Sequence, residues 1–436
     1  MMTRREFAAG AGAALAVTSS AKSYSQIMGS NDRLNFAVIG LNSRAYAHLA
    51  SLKANKSKAR ISHVCDVESN ILAKFAAATQ RDMGEAPATE RDFRKILALK
   101  EVDAITIATP DHWHAPMAIA GVQAGKHVYV EKPCSHNPAE GALLVEVQKK
   151  YKKLVQMGTQ RRSSPMYIEL MDKIHGGLVG RAYNAKAWYS NTRKSIGTGK
   201  FAPVPSTLDW DLWQGPAPRQ AYTDNVQPYN WHWFQKWGTG EALNNGTHEV
   251  DVARWALGVD LPTRVTAAGG RYHFKDDWQF YDTIATSFAY DDKVVSWESD
   301  SCNGMKTYGR DRGVVVTGTE GSVVVDTGGY EIYDLKGKKR DEHMVGKAAA
   351  SSDLTGADSM TDAHFANFIA AIQTGEKLHQ PVESGNVSVT MLQLSNIAWN
   401  VNRELKLDPA TGHILDEKEA MKQWGREYEK GWAPHL

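Results

Sequence analysis

The turn at residues 40–45 carries the first residues that could bind a ligand. It reads Gly-Leu-Asn-Ser-Arg-Ala and follows a short apolar segment. A dinucleotide-binding turn needs a glycine for the tight bend and small residues at the pyrophosphate and at the helix–strand contact. Gly40 occupies the first place, Asn42 the second and Ala45 the third. This glycine pattern is degenerate, and it indicates dinucleotide binding only in combination with Asp66.

Asp66 lies at the end of the next apolar segment, where an acid bonds the ribose hydroxyls of a dinucleotide. A carboxylate there repels a 2′-phosphate, which favours NAD over NADP. The alternative role of an aspartate at this place is to cap the following helix, and the two roles are compatible.

Two further polar segments follow predicted strands at the same edge of the sheet. Residues 109–114 read Thr-Pro-Asp-His-Trp-His, and residues 131–133 read Glu-Lys-Pro. In doubly wound sheets the carboxyl ends of the strands form the ligand crevice. His112 and His114 have no clear third ligand, so we expect a polar turn there and no metal site.

His248 could act as a proton acceptor. It opens a helix-like segment, 247–257, with apolar residues on one face. A helix N-terminus disfavours the imidazolium ion and keeps a neutral ring available. Asp251, three residues further on, lies on the same helical side and is expected to orient that ring.

The elements that position these residues alternate between strand and helix in the first part of the chain. Strands are predicted at 34–39, 61–65, 103–108 and 127–130, and helices at 43–54, 69–79, 93–99 and 116–124. This alternation predicts a parallel, doubly wound sheet.

The pattern changes after about residue 156. Strands separated by tight turns are predicted at 265–269, 283–290, 293–298, 313–317 and 322–326, followed by helices at 362–373 and 387–405. Consecutive strands with tight turns predict an antiparallel or mixed sheet.

Composition excludes several classes of protein. The 436 residues are enough for two domains, and a net charge of +2 gives no indication of a nucleic-acid partner. The 3 cysteines are dispersed and predict neither a disulfide framework nor a zinc site. The 13 tryptophans could stack on sugar faces, although core and interface packing is the favoured explanation.

The N-terminus reads as a targeting segment. Arg4 and Arg5 precede a weakly apolar run that is too short to span a bilayer, and small residues follow it. This predicts a twin-arginine signal peptide at 1–21, a linker at 22–33 and a periplasmic or otherwise exported protein. We place the Rossmann domain at 34–156 and a second domain at 157–436.

Several motifs resemble the Gfo/Idh/MocA family, which includes glucose–fructose oxidoreductase and inositol dehydrogenase. They are Glu131-Lys132-Pro133, the preceding Ala124-Gly125-Lys126-His127-Val128, the segment 208–216 and the segment 238–251. The resemblance covers residues 34–408. It implies an α/β protein in which a Rossmann domain with a parallel sheet precedes an α+β domain with a large, mostly antiparallel open sheet. It also implies that the second domain serves substrate binding and oligomerisation, with a homodimer or homotetramer formed through its sheet.

The resemblance implies that Lys132 and His248 are the catalytic residues. Many relatives carry an aspartate four residues before the histidine, and here that position is Asn244. An amide orients a hydroxyl but accepts no proton at neutral pH, which puts a relay through this position in doubt.

Two sets of binding residues are predicted. For the cofactor they are Gly40, Asn42, Ser43, Arg44, Asp66, Thr109, Pro110, His114, Glu131 and Lys132. For a polyol they are Asn244, Arg161, Trp210, Trp231 and His232, with Gln160, Tyr189 and Tyr229 as further candidates.

These features together predict an NAD-dependent oxidoreductase that moves hydride between nicotinamide and a secondary hydroxyl of a sugar, glycoside or cyclitol. An exported enzyme cannot exchange with a cytoplasmic NAD pool, so we expect tightly held NAD that is recycled in each cycle. The alternative is a redox-neutral glycosidase or lyase that oxidises a glycoside, cleaves it by elimination and re-reduces the product. A third reading, from another class, is a non-catalytic sugar-binding protein.

Overall fold

The computed structural model describes residues 33–345 and 358–436. The predicted twin-arginine signal and nearly all of the linker lie outside the described residues.

The first sheet has six parallel strands in the order β3-β2-β1-β4-β5-β6. They are β1 (Leu34–Ile39), β2 (Ala59–Cys65), β3 (Ala88–Glu90), β4 (Ala104–Ile107), β5 (His127–Val130) and β6 (Val155–Met157). β4 is buried along its whole length because helices cover both faces of the sheet, as the continuous apolar run predicts. The order reverses between β1 and β4, so the carboxyl ends of these strands form a crevice.

Helices connect these strands. They are Ala45–Ala54, Ser69–Met83, Phe93–Leu97, Asp111–Gln123 and Pro138–Tyr151. The prediction of a polar turn at His112 and His114 was wrong, because the fourth of these helices starts at Asp111, five residues before Pro116. Proline inside a helix leaves one carbonyl without its usual donor. Here the carbonyl of His112 accepts from Arg426 Nη2 at 2.6 Å, which satisfies it.

The second sheet has ten strands in the order β14-β13-β12-β11-β7-β10-β9-β8-β15-β16. They are β7 (Ala182–Ser190), β8 (Arg264–Gly270), β9 (Thr283–Ala289), β10 (Val294–Asp300), β11 (Arg312–Gly318), β12 (Ser322–Asp326), β13 (Gly329–Tyr333), β14 (Lys339–Met344), β15 (Leu405–Leu407) and β16 (Ile414–Leu415). All pairs are antiparallel except β7 with β10. The predicted α/β class with a parallel and then a mostly antiparallel sheet is confirmed.

The remaining helices and short helical segments follow β6 along the chain. They are Gln160–Ser163, Pro165–His175, Trp210–Gln214, Asn230–Trp233, Gly240–Asn244, Gly246–Leu257, Ser359–Thr374, Val382–Val401 and Lys418–Met421. The last long helix starts five residues earlier than predicted and ends at Asn402, whose φ of 53° is left-handed. Leu405 therefore belongs to β15 and not to the helix.

The helix Ser359–Thr374 follows the second sheet in sequence but packs on the first. Phe365 stacks on Tyr129 of β5 at 4.2 Å between ring centroids, and Phe368 meets Phe36 of β1 edge-on. Ser51 donates to Asp362 at 2.6 Å. A segment from the end of the chain thus completes the core beside the first crevice.

Candidate active site

A cavity of about 580 Å³ lies between the carboxyl ends of the parallel strands and the second sheet. With the exception of Trp210, every predicted site residue lines this cavity. Together with the further candidates Gln160, Tyr189 and Tyr229, eighteen predicted positions lie there. They are Gly40, Asn42, Ser43, Arg44, Asp66, Thr109, Pro110, His114, Glu131, Lys132, Gln160, Arg161, Tyr189, Tyr229, Trp231, His232, Asn244 and His248.

The turn after β1 leaves space for a phosphate group. Gly40 has a φ of +78°, and a Cβ there would lie 2.7 Å from the Thr109 nitrogen, so only glycine fits. Besides Gly40, the left-handed position within the turn is Ser43, with φ 45°, and not the asparagine beside it. The helix that starts at Ala45 points its N-terminus at this space, which suits an anion.

Asp66 closes the same end of the cavity. Its carboxylate accepts from the Leu41 nitrogen at 2.8 Å and from the Glu68 nitrogen at 2.9 Å. Burial raises its pKa to about 6. A glycine-formed space and an acid at the end of β2 fit the pyrophosphate and ribose of NAD.

Arg44 lines the cavity, and two buried acceptors hold its guanidinium group in place. Its Nε donates to Glu131 Oε1 at 2.7 Å and its Nη2 to Thr361 Oγ1 at 3.1 Å. His48 donates to the same Glu131 oxygen at 2.9 Å. Burial alone would raise the pKa of Glu131, but Arg44 and His48 hold it well below its usual value. Glu131 is thus occupied with protein partners and positions Arg44.

Lys132 extends from the Rossmann domain toward the second domain. Its ammonium group donates to the main-chain carbonyl of Asn244. Burial lowers its pKa, while Glu131 and Asp111 act in the opposite direction. Asp111 is itself held by the hydroxyl of Thr239. A cation in this place can stabilise negative charge on a substrate oxygen.

His248 lies in the first turn of the helix Gly246–Leu257, as predicted, and faces the cavity. Burial, together with the positive charges of Lys132, Arg161 and Arg312, holds its pKa well below the usual value. The ring is therefore neutral at pH 7 and can accept a proton. Within the described part of the chain, its buried Nδ1 has no hydrogen-bond partner.

The expected role of Asp251 in orienting His248 is wrong. Its carboxylate accepts from Arg162 Nε and from Ser388 Oγ, each at 2.7 Å. Three residues on from His248, the helix turns Asp251 toward the neighbouring helix Val382–Val401 and away from the cavity. Burial would raise its pKa, but Arg162 above all lowers it to about 2.

The aromatic residues divide into two groups. Trp231 stacks on His232 at 3.6 Å and Tyr229 lies 4.3 Å from the same ring, and all three line the cavity. Trp210 instead stacks on Trp213 at 4.7 Å, and its Nε1 donates to the Gln220 carbonyl. The structure therefore places Trp210 in an apolar cluster and not at the cavity.

Sequence reasoning missed Arg193 and Arg312, which line the cavity, and the buried Glu241 and Glu249 that pair with them. Glu249 accepts from Arg161 and Arg312, and Glu241 accepts from Arg193 at 2.6 Å. Glu249 directly follows His248, which was the one available signal. No local pattern connects it with Arg312, which starts β11.

Residues 207–213 of the second domain form a covering segment at the Asp66 end of the cavity. The Thr207 carbonyl accepts from the Ser69 nitrogen at 3.0 Å, and the Asp209 nitrogen donates to the Val67 carbonyl at 3.1 Å. The Trp213 carbonyl accepts from the side chains of both His112 and Trp113. This covering segment therefore links the second domain to the loops and helices at the Asp66 end of the cavity.

The described residues contain no cluster of three or more histidine, cysteine, aspartate or glutamate side chains suited to a metal ion. Across residues 33–345 and 358–436, no helix has both the length and the apolar character that crossing a bilayer demands.

Comparison with known proteins gives curated relatives that are dehydrogenases. Inositol 2-dehydrogenase 2 of Saccharopolyspora erythraea is 28% identical over 231 residues, which is 53% of this chain and 56% of the relative. The scyllo-inositol 2-dehydrogenase (NAD(+)) of Bacillus subtilis is 25% identical over 67% of this chain and 73% of its own length. Levoglucosan dehydrogenase of Pseudarthrobacter phenanthrenivorans is 25% identical over 65% and 67%.

Solved structures share the fold. A levoglucosan dehydrogenase in complex with NADH and levoglucosan has a TM-score of 0.64 at 19% identity, covering 86% of this chain and 99% of that one. The WlbA dehydrogenase of Bordetella pertussis, in complex with NADH and UDP-GlcNAcA, has a TM-score of 0.64 at 18% identity over 86% and 99%. At these identities the likeness establishes the fold.

Two family models match the chain. The oxidoreductase family with an NAD-binding Rossmann fold matches residues 34–159, and the GFO/IDH/MocA C-terminal domain matches residues 205–324. The predicted NAD-binding domain is thereby confirmed. Because the two matches together span more than half of its residues, the chain belongs to the Gfo/Idh/MocA family of oxidoreductases.

Proposed function

We propose that this protein is an NAD-dependent dehydrogenase that oxidises a secondary hydroxyl of a sugar, glycoside or cyclitol. The observation that carries the proposal is that one cavity brings together the Asp66 end of a dinucleotide site, a lysine and a neutral histidine. Curated relatives named as inositol and levoglucosan dehydrogenases support the substrate class.

In the proposed reaction His248 accepts the proton of the reacting hydroxyl. Lys132 donates a hydrogen bond to the same oxygen and stabilises the charge that develops on it. Asn244, whose carbonyl holds Lys132, orients a neighbouring hydroxyl through its side-chain amide. When bound, NAD supplies the hydride acceptor.

We also propose that the protein is exported and keeps its NAD bound through the cycle. The twin-arginine segment supports export, and the covering segment 207–213 supports retention of the nucleotide. A retained cofactor needs a second half-reaction, either reduction of another sugar or re-reduction of a cleaved glycoside. The first route is the simpler one, because it requires no elimination step.

The second-domain sheet supports a homodimer or homotetramer. Thr266, Ala268 and Ala285 on adjacent strands β8 and β9 leave one face exposed and built of small residues. Light scattering on the purified protein measures this state, and a monomer contradicts the proposal.

The main test uses protein purified from the periplasm. We expect nucleotide released by denaturation in stoichiometric amount, and bound NADH formed when polyols are added. A carbonyl sugar then restores NAD if the two-sugar route operates, whereas release of an aglycone from a chromogenic glycoside without net NADH indicates the glycosidase. Absence of both nucleotide and turnover contradicts the proposed function.

A further inference from the structure

Two arginines share one glutamate at the wall of the cavity. Arg161 Nη2 donates to Glu249 Oε1 at 2.7 Å. Arg312 donates from Nε to Oε1 at 2.7 Å and from Nη2 to Oε2 at 3.0 Å. The glutamate is 0% exposed and Arg161 5%. One carboxylate neutralises one guanidinium, so one positive charge remains beside His248.

The other arginines of the cavity that form ion pairs with buried acids are balanced. Arg193 forms two hydrogen bonds with Glu241, and Arg44 pairs with Glu131. A buried charge without a counter-ion is unfavourable, so the excess at Arg161 and Arg312 is a place for an anion.

Donor groups remain available there. Within the described residues Arg161 uses only Nη2, and Arg312 leaves Nη1 unpaired. Both side chains line the cavity. Asp311 also lines it, but it is exposed and forms no ion pair in the part of the chain described. A planar guanidinium group binds a carboxylate through paired hydrogen bonds.

We propose that the substrate is an acidic sugar whose single carboxylate binds between Arg161 and Arg312. This inference rests on the proposed function and narrows its substrate class. One positive charge is uncompensated. A carboxylate carries one negative charge and therefore matches it better than a doubly charged phosphate ester does. The bound carboxylate holds the sugar ring beside His248, the residue before Glu249.

Calorimetric titration of the NAD-loaded protein tests this without requiring turnover. The probes are glucuronate and galacturonate, each compared with its uronamide, which has the same shape and no charge. We expect at least one acid to bind at least tenfold more tightly than its amide. Equal affinities, or no binding of either acid, overturn the inference.

Variants then locate the effect. Arg312→Gln is expected to reduce the acid-to-amide ratio to near one, and Arg312→Lys, which keeps the charge, to retain part of it. A ratio that persists in both Arg312→Gln and Arg161→Gln overturns the assignment of this site. Bound NAD and the unfolding temperature of each variant report its folding. The proposed function fails separately, when neither NAD binding nor hydride transfer to any sugar is found.

Discussion

Lys132 and Asn244 are joined by a hydrogen bond from the lysine ammonium group to the asparagine main-chain carbonyl. The lysine follows strand β5 of the first sheet, and the asparagine ends a short helix four residues before His248. One contact therefore connects the two domains at the point where proton transfer is proposed. Its acceptor is a carbonyl, so it is independent of the side chain at position 244.

Lys132→Met is expected to lower kcat/KM by about 100- to 1000-fold, because the variant loses the donor that stabilises charge on the reacting oxygen. Steady-state kinetics on the sugar identified in the polyol screen measures this. Lys173→Met is the matched control, since Lys173 lies on another helix and pairs with Glu169. Equal losses in the two variants would rule out the assignment.

The activity of the wild type is expected to stay level through neutral pH and to fall only well below pH 6.5, where His248 becomes protonated. In Arg312→Gln a positive neighbour is lost, so protonation becomes easier and the pKa of His248 rises. The acid limb of the kcat/KM profile then moves to higher pH. If the acid limb does not move in this variant, a group other than His248 controls it.

Asp66→Ser is expected to weaken NAD binding by about 10- to 100-fold, because hydrogen bonds from the ribose hydroxyls to a charged acceptor are lost. Discrimination against NADP falls as well, since the repulsion of a 2′-phosphate disappears. Fluorescence titration of nucleotide-free protein measures both. In the wild type, NAD affinity rises with pH through about 6 as Asp66 ionises. The serine variant should lack this rise.

Glu131→Gln is expected to lower the free energy of unfolding by about 3–5 kcal/mol, because Arg44 loses its buried counter-ion. The pKa of Glu131 is depressed in the folded state, so the stabilisation is present above its usual pKa and is lost as the pH falls. Denaturant unfolding measures the difference. Glu85→Gln, at an exposed ion pair with Arg33, should change stability by less than about 1 kcal/mol.

Alanine substitutions separate the two tryptophan groups. Trp210→Ala should lower the free energy of unfolding by about 3–5 kcal/mol, with KM unchanged in the protein that remains folded. Trp231→Ala should raise KM and affect stability less, because Trp231 lines the cavity. If KM rose in Trp210→Ala and not in Trp231→Ala, Trp210 would have to be assigned to the substrate site.

Hydrophobic pattern and motif spacing were sufficient for four of the six strands of the first sheet and for the position of His248, whereas the three-residue strands β3 and β6 were missed. The continuous apolar run of β4 and the glycine turn followed by an acid are local features of the sequence. The structure contains both where the sequence predicts them. Strands without such a pattern were missed. β14 reads Lys-Arg-Asp-Glu-His-Met and is exposed throughout, so only its pairing with β13 makes it a strand. β7 is rich in alanine, and burial in the middle of the sheet overrides its low β propensity.

The sequence by itself determined which cofactor the first domain binds and which residues could move a proton, because Gly40, Asp66, Lys132 and His248 stand in local motifs. Tertiary structure decided what surrounds them. Residue 312 meets residue 249, and residue 361 meets residue 44, through contacts between distant segments that no spacing records. Charge balance, burial and the pKa of His248 all depend on such contacts. The physical reason is that they act through space, whereas a motif specifies only its neighbours along the chain.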